Sequence, residues 1–238
     1  MTPEQAAHDT RDVLVKFTSG FMNARETYER GKELGFEGSA FYFGGRGGVL
    51  GDVPAEVVAA SLVFFHESVV RPAWNASGLV MTRRQAAVAF ATCAHEWAET
   101  HMPDTVDAAR LATLLGPIVE AADASVAPLF AGWRLLDEPA SPRALVIHRL
   151  NALRELRGAV HAAAILTVGL TPQEAVATRG TNVAWFGWPE PYPDPAPLMD
   201  RWNLAEARTD RVFGRRLAIL DEDERAELVE LCLALTAD

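Results

Sequence analysis

Residues 141–169 read SPRALVIHRLNALRELRGAVHAAAILTVG. Ser141-Pro142 opens a helix, because proline at the first helical position loses only an N–H that has no partner there. From 142 to 168 the chain would rise about 40 Å at ~1.5 Å per residue. Val146, Leu150, Leu153, Val160 and Ala164 form an apolar stripe along it. An element so long and so apolar belongs at the centre of a multi-helix bundle. Arg154, Arg157 and His161 follow one another at helical spacing along one edge of that stripe. Such a row either snorkels out to water or lines a pocket for an anionic or carbonyl-bearing ligand.

The rest of the chain repeats the helical pattern. Thr2-Pro3-Glu4-Gln5, Thr82-Arg83-Arg84-Gln85 and Thr171-Pro172-Gln173-Glu174 each place a capping hydroxyl three residues before Glu or Gln, and Asp221 with Glu224 does the same. Apolar residues three and four apart predict helices near 3–17, 21–34, 54–65, 82–101, 104–123, 142–168, 199–218 and 222–235. Residues 39–43 are the one short strand candidate, and a helical turn fits them as well. The fold class is therefore all-α, as one helical domain over 1–238 or two closely packed lobes, 1–136 and 137–238.

Two segments depart from the pattern. Gly44-Gly45-Arg46-Gly47-Gly48 reads as a glycine-rich bend whose one chemical group is Arg46; it has neither the Lys-Ser/Thr nor the spacing of a phosphate loop. In 180–198, prolines at 189, 191, 193, 195 and 197 forbid a helix, and Trp185, Phe186, Trp188 and Tyr192 lie among them. This segment is either a strap held over the core by its aromatic rings or a lid over a pocket.

The chain has 238 residues, 49% of them hydrophobic, with 32 acidic against 22 basic residues and a formal net charge of -10. That excludes a disordered chain and argues against a nucleic-acid partner, whose phosphates need a basic face. No apolar run reaches the ~18 residues of a membrane span and no secretory leader precedes the first helix, so a cytoplasmic location is expected. Cys93 and Cys232 sit in apolar helical stretches and read as buried thiols. A homo-oligomer is compatible with these features.

Groups that could carry chemistry are few. His95 and His101 are six apart, not the four that puts two imidazoles on one helix face, so no metal site is assigned. His66 follows Phe64-Phe65 and reads either as a packed histidine or, with His161, as an acid–base group. No nucleophile constellation and no cofactor motif is present. A haem or metal site with His66 or His161 as ligand is an alternative, but no attachment motif supports it.

Several of these stretches resemble, in order, a mainly actinobacterial family of uncharacterised helix-turn-helix proteins. They are Phe41 to Arg46 with Leu50-Gly51, Pro54 to Val58 through His66, His148 through Glu155, Arg157-Gly158 with His161, Val168 to Leu170, and Arg208 to Arg211. The resemblance implies that Arg46, His66, Arg157 and His161 line one site. It carries no established activity with it. Family members place a tryptophan-containing helical segment and a short wing ahead of the Arg-Thr-Asp stretch; here 180–198 stands in that place and cannot form a recognition helix. The expected function is small-molecule binding, as an enzyme or accessory protein of specialised metabolism. His66 and His161 are its acid–base candidates, and Arg46, Arg154, Arg157, Trp185 and Trp188 its ligand contacts. A non-catalytic interaction protein and a DNA-binding regulator are the alternatives.

Overall fold

A computed structural model describes residues 1–237. Among them, twelve α-helices and three 3₁₀ turns follow one another with no strand. The helices are α1 (Pro3–Asn23), α2 (Arg25–Glu33), α3 (Ala40–Gly47), α4 (Ala55–Ser61), α5 (Glu67–Val80), α6 (Arg83–His101), α7 (Ala108–Ala121), α8 (Pro128–Trp133), α9 (Pro142–Thr167), α10 (Pro172–Thr178), α11 (Met199–Leu217) and α12 (Glu222–Ala234).

The decisive stretch is α9, which packs against α1, α6, α7, α8 and α11. Ile147, Leu150 and Leu156 are fully buried at its contacts, and one apolar cluster extends from Ala6 to Leu235. Burying each such side chain stabilises the fold by roughly 1.5–3 kcal/mol. The expected caps form: Thr82 with Gln85, Thr171 with Glu174 and Asp221 with Glu224 make reciprocal capping boxes, and Thr2 accepts from the Gln5 N–H. Ser141 makes no side-chain cap, so α9 starts on its proline alone.

Three expectations change. The helix near 104–123 starts only at Ala108, capped by Asp107. Helix α5 had no counterpart in the predicted set, since Pro72 inside it lowers the local preference. Its buried Val70, Ala73, Trp74 and Ser77 nevertheless recur at helical spacing, so packing outweighs propensity there.

The third change concerns 39–48, which form neither strand nor bend. Residues 40–47 are α3. The glycines serve close helix packing: a Cβ on Gly45 would stand 2.5 Å from Phe90 Cβ on α6, and one on Gly44 would stand 2.5 Å from Ser77 Cβ on α5. That approach carries Arg46 inward to α9.

Candidate functional site

A cavity of about 1380 Å³ opens beside α9, walled by α1, α3, the α4–α5 turn, α10, α11 and the 3₁₀ turn Val183–Phe186. Arg46, Arg154, Arg157, His161 and Trp185 all line it. Leu62, Phe64, Phe65, Phe186 and Trp202 supply much of its apolar wall.

One group of charges is centred on Glu155. Arg46 grips its carboxylate with two bonds, Nε at 2.8 Å and Nη2 at 2.9 Å, and Arg154 Nη1 adds a third at 2.8 Å. Tyr42 Oη accepts from Arg46 Nη1 at 2.9 Å. Burial resists a charged Glu155, but Arg46 and Arg154 outweigh it and hold its pKa below the usual carboxylate range. Burial likewise opposes the Arg46 charge, and attraction to Glu155 overcomes it, so its pKa is raised. Arg154 is pushed down by burial and by repulsion from Arg46. Two guanidiniums thus share one carboxylate, and Arg154 Nε is buried without a partner.

Less than one turn further along α9, Arg157 Nη2 donates to Glu206 Oε2 at 2.7 Å and to Asp210 Oδ1 at 3.3 Å, both on α11. Arg11 Nη1 on α1 reaches Asp210 Oδ2 at 3.3 Å. His161 Nδ1 lies 3.0 Å from Thr209 Oγ1. Its ring stacks near Phe64 and meets Trp202 edge-on, with centroids 5.8 and 5.1 Å away. Burial pushes the His161 pKa down to about 4, against the pull of Glu206. The imidazole is neutral at physiological pH.

Gly158 lies between Arg154 and His161 and lines the same cavity. A Cβ placed there would meet no protein atom within 4 Å. Glycine in a helix interior costs about 1 kcal/mol relative to alanine, and no neighbouring protein atom requires it here.

The first half of the strap covers the cavity. Thr181, Asn182, Trp185 and Phe186 line it, and Trp185 meets Phe65 and Tyr42 edge-on at 5.2 and 5.9 Å. The strap is tied to the α4–α5 turn by the His66 N–H bond to Phe186 O at 2.8 Å, and Trp188 Nε1 donates to Phe64 O at 2.8 Å.

His66 and Trp188 are not brought to the cavity. His66 caps α5 by accepting from the Ser68 N–H at 3.3 Å, and its ring meets Trp188 at 5.0 Å on the outer side. A histidine just before a helix start is satisfied locally, so it no longer belongs to a shared lining. Thr209 and Asp210 are buried, at 0% and 2% exposure. Glu155 and Glu206 are site residues that sequence reasoning misses. Their signals were a carboxylate inside the apolar α9 run and the Glu206/Asp210 pair four apart on α11.

Elsewhere, His95 Nε2 lies 3.1 Å from His148 Nδ1, and burial pushes the His95 pKa down to about 4. Among the described residues no group of three or more His, Cys, Asp or Glu is placed to hold a metal ion. Cys93 and Cys232 are free and buried. No described helix is long and apolar enough to cross a membrane.

No curated protein and no solved structure matches the chain. A family model matches residues 7–194, from α1 through most of the strap. Over that length, which holds every cavity residue of α3, α9 and α10 described above, the chain belongs to a helix-turn-helix family.

Proposed function

We propose that this chain binds a small molecule in the cavity beside α9, through an anionic group held at Arg154 and an apolar body resting over Gly158. The observation that carries this is Gly158, a mid-helix glycine whose missing Cβ faces open cavity rather than protein. The absent side chain lets a flat ligand lie against the helix backbone. The charge balance supports an anion: Arg46 and Arg154 share Glu155, and Arg179 lines the same wall with no ion-pair partner among the described residues. Phe64, Phe65, Trp185 and Phe186 offer aromatic faces to an apolar body.

Calorimetric titration with 2-naphthoate and its neutral counterpart 2-naphthamide tests this. The carboxylate should bind about tenfold more tightly than the amide, the size of one charge-assisted hydrogen bond. Arg154→Gln should remove the difference. Failure of both compounds to bind would count against the proposal.

A second reading, a DNA-binding regulator that senses this ligand, is favoured by the family and by α11. Arg201, Arg208, Arg211 and Arg215 are exposed along one face of α11, whose opposite face supplies Trp202 and Glu206 to the cavity. Fluorescence anisotropy with duplex DNA over a salt series tests it. Binding that weakens steeply with salt, and is lost in Arg208→Gln/Arg215→Gln, would support it.

A further inference from the structure

The hydrogens around His161 can be counted. Thr209 has one hydroxyl hydrogen and donates it to the Ala205 carbonyl oxygen at 2.8 Å. Its oxygen therefore meets His161 Nδ1, 3.0 Å away, as an acceptor, and Nδ1 carries the imidazole hydrogen. Nε2 is then a bare lone pair. It is buried without a hydrogen-bond partner, and Glu206 Oε1 stands 3.6 Å from it. Two acceptors face each other on the cavity wall.

The protein does not resolve this by itself. The other tautomer would give up the Thr209–Ala205 bond, and the 3.6 Å gap to Glu206 is too long for an N–H···O bond. Protonation is opposed by burial and by Arg157 and Arg179. A donor from outside satisfies the pair. A neutral hydroxyl suits it, because burial opposes a further charge here and the Glu206 carboxylate already pairs with Arg157 at 2.7 Å.

Arg154 and His161 lie two turns apart on one face of α9, about 10 Å along the axis, with Gly158 between them. We infer that the ligand of this cavity carries, about 10 Å from its anionic group, a hydroxyl that donates to His161 Nε2. This rests on the cavity being a ligand site, as proposed above. The ligand class is a hydroxylated aromatic or alicyclic acid, with its acid at Arg154, its flat body over Gly158 and its hydroxyl at His161.

Three rigid probes test this by calorimetry: 6-hydroxy-2-naphthoate, 6-methoxy-2-naphthoate and unsubstituted 2-naphthoate. The hydroxy compound should bind about tenfold more tightly than the methoxy compound, the value of one buried hydrogen bond. His161→Asn should abolish that preference, since an asparagine amide can still donate to Thr209 but has nothing in place of Nε2. Should His161→Asn fail to fold, Thr209→Val serves, because it frees the imidazole hydrogen to move to Nε2 and should abolish the preference likewise. Equal binding of the hydroxy and methoxy compounds, or a preference that survives these substitutions, overturns the hydroxyl assignment while 2-naphthoate binding still upholds the cavity. If none of the three probes binds the wild-type protein, the ligand site and this assignment fall together.

Discussion

His161 Nδ1 lies 3.0 Å from Thr209 Oγ1, and that hydroxyl is already committed to the Ala205 carbonyl. One threonine therefore sets the tautomer of the one histidine in the cavity lining. The expected outcome in long-range ¹H–¹⁵N spectra is that His161 carries its hydrogen on Nδ1 near neutral pH. In Thr209→Val the signal should shift toward the other tautomer, with a stability loss of roughly 1–3 kcal/mol for the hydrogen bond lost at the buried imidazole. An Nε2–H form in the wild-type protein would contradict the hydrogen count.

Acid should destabilise the protein well above the pH at which ordinary carboxylates titrate. His161 and His95 are each held near pKa 4 by burial, against 6.5 when exposed. The unfolded chain therefore binds more protons than the folded one between about pH 4 and 6.5, and stability falls as pH drops through that window. Lowered pKa values at Glu155 and Glu206 act in the same direction at lower pH, since their contribution is lost as each is protonated in the folded state. Urea midpoints measured from pH 7 down to pH 4 should decline steadily, by an amount worth a few kcal/mol in all. A flat profile would mean that the two imidazoles are solvated.

Breaking the buried carboxylate site should be costly. Glu155→Ala leaves Arg46 and Arg154 without their shared partner, and each side chain is at most 15% exposed. A loss of about 3–5 kcal/mol is expected in denaturant unfolding, as for other buried ion pairs broken on one side. Removing Arg154 instead should cost less, because Arg46 keeps its two-bond grip on Glu155.

Two glycines should respond to alanine with opposite sign. Gly45→Ala forces a Cβ to 2.5 Å from Phe90 Cβ and Cγ, and should destabilise by about 1–3 kcal/mol despite the better helix propensity. Gly158→Ala meets open space and should stabilise by about 1 kcal/mol. Thermal melts of the pair separate packing glycines from the cavity glycine.

The sequence was most legible where local chemistry and periodicity agree. The caps at Thr82, Thr171 and Asp221 and the long run of α9 are stated by adjacent residues. The row Arg154, Arg157 and His161 was readable as one edge for the same reason, and it does reach one cavity. What escaped depends on partners distant in the chain. Nothing local pairs Glu206 and Asp210 with Arg157 until α11 is laid on α9, and His66 stays open between a packed and an acid–base role until its own helix start accounts for its Nδ1. The glycines of α3 read as a bend because spacing alone does not reveal Phe90 and Ser77 pressed against them.

If the space beside α9 is a ligand site, filling it should abolish binding. Gly158→Leu projects a side chain into the cavity from a position where a Cβ touches nothing. The decisive measurement is calorimetric titration of this variant with 2-naphthoate, alongside its circular dichroism and melting temperature. Gly158→Leu should be folded, as stable as wild type or more so, and should have lost 2-naphthoate binding. Undiminished binding by a folded Gly158→Leu protein would contradict a ligand site beside α9.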